Sequence, residues 1–302
     1  MSKLKHLVAY LAILLISTGA TAAYIDTLNG PPSAFHIERG AKKLKKIAPF
    51  KPLQVCDKIT VRKPTHEIDH ISDKENFITL ALDEGVFKTL KYADTQEKPY
   101  TVTAAPNSPN VANGVMNIVS AWVYRLWKND IQIVDFQIQG GEPTTRPISM
   151  RLLKGNNAQL IIGYRELHLS WYGGKPPYQI QVSKIGTKIV CWDEKNIATA
   201  EITLKKRKIK AGRFQVVVSD AQSKKVFGKF TAAEAPSLLQ NSEARAIEQS
   251  DLPKSSKETL LAAWLAKQGG WYFEAYQRIA PITGYYPAQL VKQGLERGKR
   301  PK

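Results

Sequence analysis

Apolar and polar residues alternate over many short stretches of the chain, and this period places every second side chain on one face of a β-strand. Four such stretches lie at residues 53–61, 76–82, 86–90 and 99–104. The turn sequence Asp83-Glu84-Gly85 separates the second from the third, which predicts a β-hairpin. We therefore predict a small all-β unit over residues 51–105.

The order of the elements in this unit is similar to that in a known family of β-domains. A strand, a loop, the hairpin FITLALDEGVFKTL and the strand PYTV follow one another. This order resembles that of FecR-type periplasmic sensor domains over residues 51–105. The resemblance implies a β-domain that works outside the cytoplasm.

A helix is predicted between this unit and the next β-rich region. Val115, Val119, Trp122 and Leu126 recur at helical spacing, so residues 113–129 are expected to form a connecting helix. Its aromatic stripe could dip into a membrane surface. We expect packing against protein instead, because such stripes more often close a core.

Alternation returns over residues 130–236, where two stretches are distinctive. LHLSWYGGKPPYQIQV at 167–182 reads as a strand, a turn and a returning strand, and GRFQVVVSD at 212–220 is a later strand. Trp171 is large enough to fill the space between two packed sheets. The residues of the first stretch to which we assign a structural role are Trp171, Gly173, Gly174, Pro176, Pro177 and Tyr178.

The two stretches together resemble bacterial Ig-like and PKD-like modules, in which a W-x-G-G-x-P-P-Y hairpin precedes a G-x-Y-x-V-x-V-x-D strand. Here Phe214 stands in place of the tyrosine. The resemblance covers about residues 140–233 and implies a β-sandwich that binds, spaces or displays, without catalysis.

Beyond residue 236 the apolar positions change to helical spacing. Ser255 or Ser256 can cap a helix, Gly269-Gly270 interrupts it, and Pro287 opens a last helix. Residues 237–302 are therefore predicted to be helical, ending in a basic tail. The predicted fold class is mainly β with helical additions: a small N-terminal β unit, an Ig-like β-sandwich and a C-terminal α-hairpin.

Aromatic residues of the helical region have two interpretations. They either close its core or form an exposed face for a carbohydrate or a protein partner. Aromatic side chains at helical spacing usually close a core, so the exposed face is the second interpretation. The residues are Trp271, Tyr272, Tyr276, Tyr285 and Tyr286.

The N-terminus has the pattern of a segment that directs export. Lys3 and Lys5 precede the apolar run 7–16, and Ala20-Thr21-Ala22 is an A-x-A cleavage site. We predict a signal peptide over residues 1–22, with an uncleaved N-terminal anchor as the alternative. Residues 23–50 are expected to be a basic tether. The protein is thus predicted to be exported, to the periplasm or the extracytoplasmic face of the membrane.

The composition gives the chain a strong positive charge. The 302 residues include 44 Lys and Arg against 26 Asp and Glu, a net charge of +18. A basic exported protein is attracted to lipid headgroups and acidic glycans, whereas nucleic acid is not an expected partner outside the cell. The run Lys205, Lys206, Arg207 and Lys208 is either a solvated stretch or part of such a binding surface. The expected partner is an anionic surface or another envelope protein.

The two cysteines, Cys56 and Cys191, leave two possibilities open. An oxidising compartment permits one disulfide between them. Both also lie in apolar strand-like runs, where a small buried thiol serves equally well.

Residues His66-Glu67-Ile68-Asp69-His70 match the zinc-peptidase pattern H-E-x-x-H. On a helix, His66 and His70 would bind zinc and Glu67 would act as the general base. Pro64 just before the motif, the polar residues around it and the lack of a third-ligand segment oppose this interpretation. We therefore expect a loop, no cofactor and a non-catalytic envelope protein that acts in binding, scaffolding or sensing. A zinc-dependent hydrolase is the alternative.

Overall fold

A computed structural model of the chain describes residues 21–64, 75–83, 86–103, 115–126, 147–155, 157–235, 241–250 and 252–301. The chain divides into two compact units, Met1–Pro109 and Asn110–Lys302. Both contain antiparallel sheets, and helices are added to the second, so the predicted class, mainly β with helical additions, is confirmed. Within the described ranges no helix is both long and apolar enough to cross a membrane.

The first unit contains two four-stranded sheets with the strand orders β4-β1-β6-β7 and β3-β2-β5-β8. The predicted hairpin is confirmed, because β6 and β7 pair antiparallel. The strands are β1 (Thr21–Asn29), β2 (Phe35–Arg39), β3 (Lys42–Lys43), β4 (Pro52–Gln54), β5 (Lys58–Val61), β6 (Phe77–Asp83), β7 (Val86–Lys91) and β8 (Tyr100–Thr101), with one helical turn, α1 (Tyr92–Thr95), after β7.

Residues 23–50 belong to the core of this unit, so the predicted tether was wrong. Tyr24 and Ile25 of β1 are buried, as are Phe35 and Ile37 of β2. The lysines that suggested a tether lie at exposed positions on the short strand β3 and in the turn after it. Most of the predicted signal segment, including Ala20, lies outside the described residues, and Thr21 and Ala22 of the A-x-A site begin β1.

A turn with a buried carboxylate interrupts the strand predicted over residues 53–61. Asp57 accepts hydrogen bonds from Nε and Nη2 of Arg39, both at 2.8 Å, and from the backbone N–H of Gln54 at 2.9 Å. These bonds compensate for removing the charge from water. Cys56 is exposed in the same turn with φ +70°, and neither it nor Cys191 is in a disulfide.

The second unit combines a sandwich of strands with helices before and after it. Its helices and strands are α2 (residues 115–126), β9 (Gln159–Ile161), β10 (Gly163–Ser170), β11 (Tyr178–Lys184), β12 (Val190–Ile197), β13 (Glu201–Ile209), β14 (Gly212–Ser219), β15 (Lys225–Ala233), α3 (Ser242–Glu248), α4 (Lys254–Lys267), α5 (Tyr272–Ile279) and α6 (Tyr286–Glu296). One sheet has the order β12-β11-β14-β15-β9, and β10 pairs with β13 in the other. Only β9 and β15 pair in parallel among these strands.

The helix predicted over residues 113–129 is α2, and its apolar stripe is buried. Trp122 is among the largest fully buried side chains of the described residues. A Cβ added to Gly294 of α6 would lie 2.7 Å from Leu126, so a glycine lets these two helices approach closely. Packing against protein, rather than the membrane, accounts for the aromatic stripe.

The distinctive stretch around Trp171 closes one end of the sandwich. The Trp171 ring is buried and meets the Tyr178 ring edge-on at 5.2 Å between centroids. The Tyr178 hydroxyl donates to the carbonyl of Gly173 at 3.0 Å. The Asp220 carboxylate accepts from the backbone N–H of Lys175, Gln222 and Lys224 at 2.9–3.2 Å. Asp220 thus joins the two stretches that carry the resemblance.

The C-terminal helices bind to the free edge of β10. Gln277 of α5 accepts from the backbone N–H of His168 at 2.8 Å and donates to its carbonyl at 2.7 Å, as a neighbouring strand would. The buried Glu274 accepts from Arg165 at 2.7 Å and from the backbone N–H of Ile161 at 3.0 Å. The helices therefore satisfy backbone groups at the free edge of β10 and at the end of β9.

Candidate functional site

The zinc-peptidase motif cannot be placed, since His66, Glu67 and His70 lie outside the described residues. Among the residues that are described, no three or more His, Cys, Asp or Glu side chains are grouped so that they could hold a metal ion. The hydrolase alternative therefore still rests on sequence alone.

The predicted aromatic face is largely interior. Trp271, Tyr272 and Tyr276 are 7%, 2% and 1% exposed, so these rings close the core between the helices and the sandwich. Tyr285 is half-buried and accepts a hydrogen bond from Ser256 at 3.0 Å. Tyr286, at 37%, is the most exposed of the five rings. The exposed-face interpretation was wrong because α4, α5 and α6 pack on one another, which buries the ring positions that face inward.

The sandwich has two ends of opposite character. We call the end with turns 171–177, 198–200 and 220–224 the Trp171 end. The other end carries turns 185–189 and 210–211, and we call it the basic end. At the basic end Lys184 pairs with Phe214, so the end of β11 lies beside the start of β14. Gly163 pairs with Ile209, so the start of β10 lies beside the end of β13.

A β-bulge presents the predicted basic run at this end. Arg165 pairs with Arg207 and Leu167 with Leu204, so two residues of β13 oppose Glu166 alone. The extra residue explains why Leu204 and Ile209, an odd number of positions apart, are both buried. The four residues between them, Lys205, Lys206, Arg207 and Lys208, are all exposed.

Side chains of neighbouring strands hold this run in place. Trp192 of β12 donates from Nε1 to the carbonyl of Lys205 at 2.9 Å. Arg207 lies 5.8 Å from the centroid of the Trp192 ring and donates to the carbonyl of Cys191. Partial burial raises the pKa of the Cys191 thiol, against the opposing effect of Arg207 and Lys184. The thiol is therefore kept mainly protonated at neutral pH.

The cations of the basic end are not neutralised by neighbouring carboxylates. Within the described part of the chain none of them forms an ion pair, although Glu166 lies across the bulge. Such a surface attracts anions. The cations of this end are Lys184, Lys188, Lys205, Lys206, Arg207, Lys208 and Lys210.

Three apolar side chains are exposed among these cations, and sequence reasoning missed them. Ile189 is 59% exposed, Val190 is 47% and Tyr164 is 66%. Lys206 lies 5.1 Å from the centroid of the Tyr164 ring, within cation–π distance. The sequence signal was the pair Ile189-Val190 directly after the turn that follows Gly186, where polar residues are usual.

A polar groove crosses the outer face of the five-stranded sheet near the Trp171 end. It encloses about 580 Å³ between β11, β12 and β14, with amide and hydroxyl side chains that include Gln179, Gln181, Asn196 and Ser219. Its carboxylate, Asp220, is already occupied by three backbone donors. The groove can accept hydrogen bonds from a polar ligand, but it presents no nucleophile and base in contact.

A half-buried carboxyl group lies where α6 meets the Trp171 end. Glu296 accepts from the hydroxyl of Tyr276 at 3.1 Å and from that of Tyr172 at 3.4 Å. Burial raises the pKa of Glu296, and burial together with Glu296 raises the pKa of Tyr172 to about 12. This cluster joins two helices to the sandwich, so its chemistry is structural. The positions of these residues in the sequence give no indication that they lie together.

The site described here is thus an uncompensated basic end with exposed apolar residues. No family model, curated protein or solved structure matches this chain.

Proposed function

We propose that this protein is a non-catalytic, exported cell-envelope protein that binds an anionic surface through the basic end of its β-sandwich. The observation that carries the proposal is the run of exposed cations on β13 and its neighbours, which has no ion-pair partner within the described residues. Export is supported by Lys3, Lys5, the apolar run 7–16 and the A-x-A sequence.

The strand order supports an Ig-like binding module. The sequence β12-β11-β14-β15 corresponds to the C′-C-F-G sheet of a variable-type immunoglobulin domain, and β10-β13 corresponds to its B-E pair. The chain departs from antibody domains in two ways: Trp171 follows β10 rather than lying on the C strand, and β14 has no cysteine. In variable-type domains the binding loops join B to C and F to G, and here these are the turns 171–177 and 220–224 of the Trp171 end. The role proposed for the basic end is therefore supported by its charge and exposure, and not by analogy with antibody binding loops.

Two matched triple substitutions test the proposal. The basic-end variant is Lys205→Ser/Lys206→Ser/Lys208→Ser, and the control variant is Lys175→Ser/Lys224→Ser/Lys225→Ser at the Trp171 end. All six lysines are exposed, and both variants lose the same charge. Binding to heparin, a soluble acidic polymer, and to vesicles of phosphatidylglycerol is measured at low and physiological salt.

We expect the basic-end variant to lose most of its affinity and the control variant to retain it. Wild-type binding should weaken as salt rises, because exposed charges are screened beyond about 8 Å at physiological ionic strength. Equal losses in both variants would mean that net charge alone drives binding, and the proposed site would be rejected.

The zinc-hydrolase alternative is tested separately. Zinc content is measured after dialysis against a weak chelator, in the wild-type chain and in His66→Ala/His70→Ala. We expect no retained zinc in either protein. Retention by the wild type that the double substitution abolishes would replace the binding proposal with a catalytic one.

A further inference from the structure

Half of the exposed large apolar side chains of the second unit lie at the basic end. Among its described residues six large hydrophobic side chains are exposed, and three of them, Tyr164, Ile189 and Val190, lie at this end. Ile189 and Val190 are consecutive, at the point where the β11–β12 turn enters β12. Contiguous exposed apolar groups with a polar rim mark interaction sites.

The rim of these residues is cationic. The backbone N–H of Lys184 donates to the carbonyl of Ile189 at 3.1 Å, which closes the turn and fixes Lys184 beside the apolar pair. Lys188 precedes Ile189 directly, and the Arg207 guanidinium bonds to the carbonyl of Cys191, one residue beyond Val190. The apolar pair therefore has cationic residues next to it in the turn and on β13, and the ammonium of Lys184 donates to the carbonyl of Ala211 at 3.0 Å.

This arrangement fits an anionic lipid bilayer. Short apolar side chains at a turn can enter the boundary between headgroups and acyl chains, while lysines extend their charged ends to the phosphates. Tyr164 has an apolar ring with a polar tip, the type of side chain that is enriched at membrane interfaces. An acidic glycan would satisfy the cations but would give Ile189 and Val190 no apolar environment.

We infer that the basic end docks on an anionic lipid membrane, with Ile189 and Val190 inserted at the interface and the surrounding lysines on headgroup phosphates. This inference rests on the proposed function and deepens it by naming a lipid surface as the ligand. It separates two contributions: charge brings the module to the surface, and the apolar pair retains it there.

The test is vesicle flotation of the full chain with vesicles of phosphatidylglycerol and phosphatidylcholine in equal parts, beside vesicles of phosphatidylcholine alone. Neutral vesicles report any binding through the apolar run 7–16, which all variants share. The proteins are the wild type, Ile189→Ser/Val190→Ser, the basic-end variant and the control variant. Heparin binding of each is measured in parallel.

We expect Ile189→Ser/Val190→Ser to lower the affinity for anionic vesicles about tenfold while leaving heparin binding unchanged, because only the lipid contact buries apolar area. The basic-end variant should lower vesicle affinity about a hundredfold, since each lysine near an anionic membrane contributes about fivefold. The control variant should match the wild type.

The outcomes separate the two proposals. If the apolar substitutions leave vesicle binding unchanged while the basic-end variant loses both ligands, insertion is rejected and the anionic-surface function stands. Binding to heparin without binding to anionic vesicles would also reject the lipid and favour an acidic glycan. If the wild type binds neither, both proposals fail.

Discussion

The two ends of the β-sandwich use their most distinctive residues in opposite ways. At the Trp171 end the tryptophan ring is buried, the Tyr178 hydroxyl is bonded to Gly173, and the Asp220 carboxylate has three backbone donors. At the basic end, isoleucine, valine and tyrosine side chains lie in water beside cations without ion-pair partners in the described chain. Within the described residues the buried Nε1 of Trp171 has no hydrogen-bond partner. The other groups of this end make contacts within the protein, which indicates a structural role, whereas the exposed apolar groups and cations of the basic end point to a ligand.

The contrast also separates a recognisable motif from a functional one. The W-x-G-G-x-P-P-Y stretch drew attention in the sequence, and its residues make contacts within the protein. The basic run appeared to be an ordinary solvated stretch, yet it lies beside the exposed apolar pair Ile189 and Val190. The most distinctive motif of this sequence is therefore explained by the contacts that stabilise the fold.

The largest effect is expected at the core of the Trp171 end. Replacing Trp171, which is 2% exposed, with alanine removes a ring and leaves a cavity. We expect the free energy of unfolding to fall by about 3–5 kcal/mol in denaturant titrations. As the matched change at the other end, Tyr164→Ala should cost less than about 1 kcal/mol, because Tyr164 is 66% exposed. Similar costs for the two substitutions would remove the distinction between the ends.

Alanine substitutions at two glycines with similar backbone angles provide a second comparison of stability at the two ends. Gly174 has φ +73° and Gly186 has φ +80°, so alanine is strained at both. A Cβ at Gly174 would lie 3.2 Å from Asp220 and Tyr178, whereas none of the surrounding atoms comes within 4 Å of one at Gly186. We expect Gly186→Ala to cost about 1 kcal/mol and Gly174→Ala about 2–4 kcal/mol. Equal unfolding free energies would show that the packing around Gly174 is loose.

The half-buried carboxyl group of Glu296 predicts a pH dependence at the Trp171 end. Burial raises the pKa of Glu296 above its ordinary 4.5, so the folded chain binds its proton more tightly than the unfolded chain. The free energy of unfolding should therefore fall as pH rises from about 4.5 through the folded pKa. In Glu296→Gln this part of the pH dependence of the unfolding free energy should be absent. Denaturant titrations of both proteins from pH 4 to 7 would measure it. A steeper fall in the variant would contradict the direction of the shift.

The smallest effect on stability is expected from the lysines of the basic end. The basic-end variant, Lys205→Ser/Lys206→Ser/Lys208→Ser, removes side chains that are exposed and form no ion pair within the described residues. Its free energy of unfolding should remain within about 0.5 kcal/mol of the wild type, because exposed side chains away from packed features contribute little. A loss above about 2 kcal/mol would assign these lysines a structural role.

Much of the fold could be predicted from local patterns. The β6–β7 hairpin, the helices after residue 253 and the buried stripe of α2 all follow from period-two or helical spacing that is uninterrupted over several residues. The strands in residues 21–50 could not be predicted in the same way, because prolines and lysines divide them into short segments. Their assignment depends on pairing with β4, β5 and β6, which are distant in sequence.

The candidate site was only half predictable for a related reason. The four consecutive basic residues on β13 are visible in the sequence, but the bulge that exposes all of them depends on pairing with β10. Ile189 ends the β11–β12 turn and Val190 begins β12, and only the sandwich brings them to the same end as the basic run. The aromatic residues around Trp271 were ambiguous because burial of helix faces is decided by tertiary packing.

The central claim, that the basic end is the binding end, is tested most directly by hydrogen–deuterium exchange of the full chain with and without phosphatidylglycerol vesicles. We predict slower exchange of backbone amides in residues 185–191 and 205–211, and no change in residues 171–178 and 220–224. Slower exchange confined to the Trp171 end, or no change at either end under conditions where the chain floats with the vesicles, would contradict it.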